Sequence, residues 1–243
     1  MTAARRRALV TGASGAIGAA IARRLAAQGH HLIVHANRQL PAAQALADEL
    51  VAAGGSAEAI AFDVADAAAT GAACARLLEG GAIQIVVNNA GIHDDAVFPG
   101  MSPAQWSRVV DVNLNGFFNV TQPLTLPMIR TRWGRVISLS SVAALIGNRG
   151  QVNYAAAKSA LHGATRALAQ ELASRGITVN CVAPGIIATP MSDGAIEPDL
   201  IERMVPMKRA GRADEVAALI AFLASDDAGY ITGQIVSVNG GMA

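Results

Sequence analysis

Short apolar runs alternate along the chain with longer stretches in which apolar residues recur at helical spacing. Several runs are continuous and rich in β-branched residues, which is typical of strands buried on both faces of a sheet. The strand pattern covers residues 8–10, 31–35, 57–62, 83–87, 136–139, 178–182 and 235–238. The helical pattern covers residues 17–28, 42–53, 67–78, 103–130 with a break, 154–175 and 213–224.

Strands that alternate with helices predict a parallel sheet with right-handed crossovers and helices on both faces. Ligands then bind at the carboxyl ends of the strands. We expect residues 1–243 to form one domain, because no linker or repeat divides the chain. Residues 186–211 break the rhythm and contain Pro190, Pro198 and Pro206. A loop of this length is usually functional, which predicts a substrate lid.

Composition narrows the classes of function. Of the 243 residues, 52% are hydrophobic, which favours a large core, and the net charge of +1 gives no field for attracting nucleic acid or a membrane surface. Cys74 and Cys181 fit no metal-ligand spacing, so no metal site is predicted. We expect a cytoplasmic protein, because no apolar run reaches the ~18 residues of a membrane helix and the arginines at 5–7 precede only a short apolar run.

The first strand leads into a glycine-rich turn, which runs Thr-Gly-Ala-Ser-Gly-Ala-Ile-Gly from residue 11 to residue 18 and opens a helix. Glycines allow a sharp turn and a close approach to a pyrophosphate, which the helix N-terminus binds. Considered without its context, such a turn has a second interpretation, a tight strand–helix loop that binds no ligand. Its place between the first strand and the first helix favours a dinucleotide site.

The residues after the second strand bear on which nicotinamide is bound. An acidic residue there binds the ribose 2′-hydroxyl of NAD and repels the 2′-phosphate of NADP. The chain has His35-Ala36-Asn37-Arg38 without a carboxylate, and Arg38 can pair with a phosphate. The alternative for Arg38 is a solvated loop cation. Asp63, after the third strand, is placed to contact adenine or, alternatively, to cap the next helix.

Tyr154 and Lys158 are four residues apart in a predicted helix and therefore lie on the same side of it. Reduction of a carbonyl needs a proton donor, and a tyrosine with its usual pKa of about 10 is a poor acid–base group at neutral pH. A nearby ammonium stabilises the phenolate and lowers that pKa. The alternative interpretation of this spacing, considered alone, is a pair of residues on the surface of a helix.

Further polar residues lie where neighbouring strands end. Ser140-Ser141 ends the fifth strand, where a hydroxyl can bond a substrate oxygen, and Asn88-Asn89-Ala90-Gly91 ends the fourth. Asn113 lies in the following helix, where its amide can bridge Lys158 to solvent through water. Each residue alone could be a cap or a buried hydrogen-bonding group. Their joint occurrence favours a reducing site.

Taken together, these residues resemble the short-chain dehydrogenase/reductase family, and the resemblance extends from Thr11 to Gly241. The resemblance implies a Rossmann-type, doubly wound, parallel sheet of seven strands in a three-layer α/β/α domain. It implies Tyr154 as acid/base, Ser141 as donor to the substrate oxygen, Lys158 on the nicotinamide ribose and Asn113 on a relay water. The cofactor positions that it implies are Gly12, Ser14, Gly15, Ile17, Gly18, Asn37, Arg38, Asp63, Val64, Asn89, Ala90, Gly91, Tyr154, Lys158, Pro184, Gly185, Ile187 and Thr189.

Within the family, residues 151–158, 173–180, 230–233 and 238–242 are most similar to 3-oxoacyl-[acyl-carrier-protein] reductases. This likeness implies NADPH-dependent reduction of a carrier-bound 3-oxoacyl thioester in fatty-acid or related synthesis. Those reductases usually carry Arg-Gly where this chain has Gly15-Ala16, which leaves Arg38 as the main residue for the 2′-phosphate. The alternatives are an NAD(P)-dependent dehydrogenase of a small alcohol, sugar or steroid, and a non-catalytic member that senses nucleotide.

The same likeness implies two kinds of partner. Family members of this kind are usually homotetramers, and small residues in segments 103–130 and 154–175, together with strand 235–238, suit such interfaces. An acyl carrier protein is acidic, and Arg132 and Arg175 match the positions that the similar reductases use to dock it near the site entrance. Solvated helix-end cations are the alternative for these arginines.

Overall fold

Seven parallel strands form the central sheet of the computed structural model, which describes residues 5–189 and 198–243. Their order across the sheet is β3-β2-β1-β4-β5-β6-β9, and β7 and β8 pair separately as a short parallel ribbon. The predicted doubly wound α/β fold is therefore confirmed. The strands are β1 Arg7–Val10, β2 His31–Ala36, β3 Ser56–Ala61, β4 Ile85–Asn88, β5 Gly134–Leu139, β6 Ile177–Pro184, β7 Ile187–Ala188, β8 Gly211–Arg212 and β9 Ile235–Val238.

Helices cover both faces of this sheet. One core, which contains Leu25, Leu46 and Ile220, lies between the sheet and helices α1, α2 and α9. A second core, which contains Leu124 and Leu172, lies under α3, α5 and α7 on the other face. The helices are α1 Ala16–Ala27, α2 Leu40–Ala52, α3 Ala67–Glu79, α4 Pro103–Val110, α5 Gly116–Thr131, α6 Ala143–Ile146, α7 Val152–Leu172, α8 Pro198–Met204 and α9 Ala213–Leu223.

The long predicted helix over 103–130 is divided by a π-helical turn, Asp111–Asn115, between α4 and α5. The break that the sequence predicts is thus confirmed. Ser102 begins α4 with a capping box, since its hydroxyl accepts from the Gln105 amide and the Gln105 side chain accepts from the Ser102 amide. A π-helical turn inserts one extra residue in a helical turn and is frequent at functional sites.

Several predicted boundaries are wrong by two or three residues. The strand expected over 83–87 runs from Ile85 to Asn88. The helix expected over 154–175 begins at Val152 and continues after Leu172 only as a 3₁₀ turn. Gly176 ends that turn in the left-handed region, with φ 74°, and a Cβ there would collide with the carbonyl oxygen of Arg132. The close approach of these two chain segments therefore fixes where the helix must stop.

The strand order reverses between β1 and β4, so the connections of the two halves of the sheet diverge there. In open α/β sheets a crevice forms at this point, at the carboxyl ends of the strands. Within the described ranges, every helix is too short or too polar to cross a lipid bilayer.

Candidate active site

A cleft of about 940 Å³ opens at the reversal of strand order. It is bounded by the glycine-rich turn after β1, the end of β2, the segment after β3, the segment after β4 and the junction of α4 with the π-helical turn. Many of the residues that the sequence predicts for a dinucleotide line it. They are Gly12, Ser14, Gly15, Asn37, Arg38, Asp63, Val64, Ala90 and Gly91.

The glycine-rich turn is tightly folded. Gly12 has φ +63°, and a Cβ on Gly18 would lie 2.5 Å from the Gly12 carbonyl oxygen and 2.7 Å from the Ala13 Cα. Only glycine therefore fits at position 18. Helix α1 begins directly after Gly15, which offers no side-chain cap, so the first amides of the helix are available to an anion. The turn suits the pyrophosphate of a dinucleotide.

The segment after β4 braces this turn. The Asn89 side-chain amide donates to the carbonyl oxygens of Thr11 at 2.7 Å and Gly12 at 3.1 Å. The Thr11 hydroxyl accepts from the backbone amides of Asn89 and Ala90. Asn89 therefore braces the turn with a side-chain amide that faces protein. Sequence reasoning missed the part played by Thr11, whose position before the first glycine was the available signal.

His35 also supports the glycine-rich turn, a role that the sequence did not predict. It is 1% exposed, its Nδ1 accepts from the Gly12 amide at 3.1 Å, and its Nε2 lies 2.9 Å from the Phe62 carbonyl oxygen. Those contacts require a neutral ring with its proton on Nε2. Burial lowers the pKa of His35 to about 4. An uncharged histidine thus ties the turn to the ends of β2 and β3.

The adenosine end of the cleft carries Asn37 and Arg38, both exposed after β2. Among the described residues no carboxylate pairs with Arg38, so its guanidinium is available to a phosphate. Asp63 lies two residues beyond β3, and its carboxylate accepts from the Ala65 amide. The alternative that Asp63 caps α3 is wrong, because Asp66 accepts from the Ala69 amide at the start of that helix.

The four residues expected to do chemistry lie at the carboxyl ends of β4 and β5. Tyr154 and Lys158 occupy neighbouring turns of α7, and the lysine Nζ lies 5.7 Å from the centre of the tyrosine ring. Ser141 follows β5, and its hydroxyl is close enough to the Tyr154 phenol to lower the pKa of that phenol. The ammonium of Lys158 donates to the Leu139 carbonyl oxygen at 2.7 Å. A serine, a tyrosine and a lysine are thus brought together.

Burial controls the electrostatics of this group. The pKa of Lys158 falls to about 8, because its ammonium is removed from water. The pKa of Tyr154 is raised mainly by burial and to a smaller degree by the carboxylate of Asp95, while the nearby Ser141 hydroxyl acts in the opposite direction. The expected lowering of the Tyr154 pKa by Lys158 is not seen in this structure, where burial raises that pKa and Lys158 is not among the groups that change it.

Asn113 lies in the π-helical turn and is 3% exposed. Its amide nitrogen donates to the carbonyl oxygens of Ile92 at 2.7 Å and Val109 at 2.8 Å. Its Oδ1 has no hydrogen-bond partner within the part of the chain that the structure describes. A Cβ on Gly91 would lie 2.6 Å from this oxygen and 3.2 Å from Lys158 Nζ. The unpaired acceptor and the ammonium therefore flank one point, which glycine leaves open.

The loop after β6 borders the same edge. The Val142 amide donates to the Pro184 carbonyl oxygen at 2.7 Å, which ties this loop to the segment after Ser141. A Cβ on Gly185 would approach the Asn239 Cα to 2.7 Å, so glycine is needed there too. Ile187 lies in β7, and Thr189 ends the first described range. Of the predicted lid, residues 190–197 lie outside the described residues.

Arg132 and Arg175 lie elsewhere. Arg132 ends α5 with φ 51° just before β5, and Arg175 immediately precedes Gly176 and β6. They therefore occupy the amino edge of the sheet, whereas Ser141 follows the carboxyl end of β5. The expectation that they lie near the entrance of their own site is wrong, because a parallel sheet separates its two edges by the length of its strands.

A nucleotide cleft at the reversal of strand order, with a half-buried tyrosine, a buried lysine and a serine beside it, defines an oxidoreductase that uses a nicotinamide cofactor, NAD(P). The profile of a family described as Enoyl-(Acyl carrier protein) reductase matches residues 12–243. The chain therefore belongs to the short-chain dehydrogenase/reductase family.

Individual relatives match along their whole length. The 3-oxoacyl-[acyl-carrier-protein] reductase FabG of Aggregatibacter actinomycetemcomitans is 45% identical over 96% of this chain and 98% of its own. The enzyme of the same name from Staphylococcus aureus strain Mu50 is 45% identical over 97% of both chains. Nodulation protein G of Rhizobium meliloti strain 1021 is 46% identical over 98% of this chain and 97% of its own.

Proposed function

We propose that the protein reduces the 3-oxo group of an acyl thioester carried by an acyl carrier protein, with NADPH as the hydride donor. The observation that carries the proposal is that Ser141, Tyr154 and Lys158 lie together next to Gly91, which lines the nucleotide cleft. Two hydroxyls in this arrangement suit the oxygen of one carbonyl group. The names of the 45% identical relatives support the choice of substrate.

The nicotinamide, when bound, supplies a hydride to the carbonyl carbon of the substrate. The chain's own residues handle the oxygen and its proton. Ser141 donates a hydrogen bond to the substrate oxygen and holds it, while Tyr154 transfers its phenolic proton to that oxygen. Lys158 binds the nicotinamide ribose and stabilises the phenolate left behind. Asn113 Oδ1 and Lys158 Nζ are placed to hold a water that returns the proton to the site.

The residues of the cleft suit the cofactor. Gly12, Ser14, Gly15, Ile17 and Gly18 would hold the pyrophosphate, since the tight turn and the free end of α1 favour an anion there. The rest would bind adenosine and nicotinamide. They are Asn37, Arg38, Asp63, Val64, Asn89, Ala90, Gly91, Tyr154, Lys158, Pro184, Gly185, Ile187 and Thr189.

Arg38 should make the protein prefer NADPH. We expect Arg38→Ala to weaken NADPH binding by about 10-fold to 100-fold, as for the loss of one charge-assisted pair, and to leave NADH binding nearly unchanged. Fluorescence titration with both nicotinamides measures this. Ala36→Asp, which adds a carboxylate at the end of β2, should move the preference toward NADH. Equal losses for both cofactors after Arg38→Ala would show that Arg38 does not bind the 2′-phosphate.

Asp95 should set the alkaline limit of the reduction. Its carboxylate raises the Tyr154 pKa, and Gln151 and His93 hold it at 2.9 Å and 3.1 Å. Asp95→Asn removes this charge and lowers the Tyr154 pKa. The tyrosine then loses its proton at a lower pH than in the wild type, and reduction declines at that lower pH. The reduction rate measured as a function of pH shows this alkaline limit. Asp94→Asn is the matched control, and an equal displacement there would contradict the role of Asp95.

The assembly would complete the carrier site. We propose a homotetramer, supported by the exposed apolar side chains of α5, among them Phe118 and Leu126, beside a groove of about 430 Å³ that α7 also lines. In an isologous pair with antiparallel α7 helices, the end of one α7, with Arg175, lies near the start of the partner copy's α7. Arg132 and Arg175 would then serve the neighbouring site rather than their own.

Docking of the carrier should depend on these two arginines. We expect Arg132→Glu with Arg175→Glu to raise KM for the carrier-bound substrate about 10-fold or more at low salt, with less effect as salt rises. A short thioester mimic should be reduced as before, because no reacting group has changed. Steady-state kinetics on both substrates measure the split. Equal losses on both would mean structural damage and would contradict docking.

A substrate lid over 186–211 and a location in the cytoplasm complete the proposal. The described parts of the lid are β7, α8 and β8, which lie along the chain between the loop after β6 and α9. Both cysteines are buried and unpaired thiols, which suits a reducing compartment.

One assay tests the function. Carrier-bound 3-oxoacyl, carrier-bound 2-enoyl and simple ketone substrates are each offered with NADPH and with NADH. Fastest oxidation of NADPH with the 3-oxoacyl substrate is expected. Preference for the 2-enoyl thioester would favour the double-bond reduction that the matched family is named for. Preference for a small ketone would favour the small-molecule dehydrogenase, and no turnover would favour the non-catalytic member.

A further inference from the structure

One helical turn beyond Lys158, His162 forms a hydrogen bond that the proposed reaction does not use. Its Nε2 lies 2.7 Å from the hydroxyl oxygen of Ser140. The same hydroxyl donates to the backbone carbonyl of Lys158 at 3.2 Å. Ser140 is 4% exposed and directly precedes Ser141. His162 and Ser140 thus join α7 to the residue that follows β5.

The end of β5 holds Lys158 at two places. The carbonyl oxygen of Leu139, the last residue of β5, accepts from the lysine ammonium, and the hydroxyl of Ser140 donates to the lysine's own carbonyl. Because these partners are consecutive residues, a movement of the strand end away from α7 disturbs both contacts. The contact with His162 is the third bond that holds this strand end to α7.

The ring of His162 is suited to complete the arrangement. Burial, and then the charge of Arg166 on the same helix, lower its pKa, so the imidazole is neutral at neutral pH. With its proton on Nε2 it donates to the Ser140 oxygen and leaves the serine hydrogen for the Lys158 carbonyl. Cys181 in β6 lies beside Lys158 and Ser140, and burial raises the pKa of its thiol to about 11, so it carries no charge.

We propose that His162 is a positioning residue that, through Ser140, holds the end of β5 against the turn of α7 that carries Lys158. It thereby fixes the carbonyl that binds the lysine ammonium and keeps water away from that ammonium. The effect on turnover rests on the proposed function, whereas the effect on Lys158 itself does not.

The composition of the chain makes the effect on Lys158 directly measurable. Lys158 and Lys208 are its two lysines, so ¹³Cε-lysine labelling gives two side-chain signals in an NMR spectrum, and Lys208→Arg leaves Lys158 alone. We expect the Lys158 signal of His162→Phe and of Ser140→Ala to titrate about one pH unit higher than that of the wild type, since loosened packing admits water. His162→Gln, whose amide reaches Ser140, should titrate as the wild type does.

Ser159→Ala is the matched control, because its hydroxyl, next to Lys158 in α7, donates to the Ala144 carbonyl in α6 instead of to β5. It should leave the Lys158 titration unchanged. An unaltered titration in both His162→Phe and Ser140→Ala would overturn the proposal, and so would an equal displacement in Ser159→Ala. If the phenylalanine variant does not fold, the smaller change Ser140→Ala decides.

Turnover gives an independent readout. His162→Phe and Ser140→Ala should each lower kcat about fivefold to tenfold, as for the loss of one hydrogen bond, with KM for the acyl substrate unchanged and with recovery in His162→Gln. The double variant should be no slower than either single one, because both break the same contact. Additive losses would overturn the proposal. A wild type that reduces no 3-oxoacyl thioester would refute the proposed function, and the Lys158 titration would still decide this inference.

Discussion

Replacing Tyr154 by phenylalanine is expected to lower turnover by about 10²–10⁴-fold, the usual contribution of general acid–base catalysis. The phenyl ring keeps the packing of the start of α7, and only the proton donor to the substrate oxygen is removed. The nicotinamide should still bind, because the glycine-rich turn and the adenosine end of the cleft are untouched. Single-turnover oxidation of NADPH, followed by absorbance, measures the loss, and fluorescence titration measures cofactor binding.

Two comparisons make the Tyr154 result specific. Ser141→Ala should cost less, because Tyr154 can still donate its proton to the carbonyl oxygen. Thermal unfolding of the phenylalanine variant should match that of the wild type within about 1 kcal/mol, since only one hydroxyl is lost and the packed ring remains. Near-normal turnover in Tyr154→Phe would show that another group supplies the proton.

The second large effect is expected at Gly91. A methyl group there meets Asn113 Oδ1 at 2.6 Å and Lys158 Nζ at 3.2 Å, so both side chains must move. Asn113 is held by two backbone carbonyls and Lys158 by one, which leaves little room for adjustment. Displacement of a reacting group by about 1 Å can cost about 10²-fold in rate. We expect Gly91→Ala to lower kcat by about that factor, as steady-state kinetics would measure.

Gly163→Ala is the matched control for the Gly91 variant. Gly163 lies in α7, the helix that carries the tyrosine and the lysine, but a Cβ there has no atom within 4 Å in the described structure. Alanine in a helix interior is favoured over glycine by about 1 kcal/mol, so this variant should unfold at a higher temperature and retain its turnover. If Gly91→Ala keeps full activity, the space between Asn113 and Lys158 has no part in the reaction.

Periodicity and strand-end residues were sufficient to predict the sheet, the order of its helices and most of the cleft. A continuous apolar run such as the one that begins β4 is typical of a strand buried on both faces, and glycines at 12 and 18 are typical of a tight turn. The pattern also predicted a break within residues 103–130, where the π-helical turn separates α4 from α5. The set of Ser141, Tyr154 and Lys158 followed from their places at strand ends and on one side of a helix.

Other features depend on contacts between residues that are distant in the sequence. The supports from His35 and Thr11 need the spatial order β2, β1, β4, which local patterns do not contain. The raised pKa of Tyr154 depends on how deeply α7 is packed and on Asp95 from another loop. Arg132 and Arg175 were placed near the entrance by likeness alone, and the direction of β5 and β6 puts them at the opposite edge.

The neutral ring of His35 implies a limit to the acidity in which the fold can work. An unfolded chain takes up a proton on this ring near pH 6.5, whereas the folded chain resists it down to about pH 4. The stabilising contribution of His35 is therefore complete above pH 6.5, declines as the pH falls toward 4 and amounts to roughly 3 kcal/mol across that window. Because the ring accepts from the Gly12 amide, protonation would first release the phosphate turn. Acid would thus expel the nucleotide before it unravels the sheet, and a bound nucleotide would in turn protect the chain against acid by mass action.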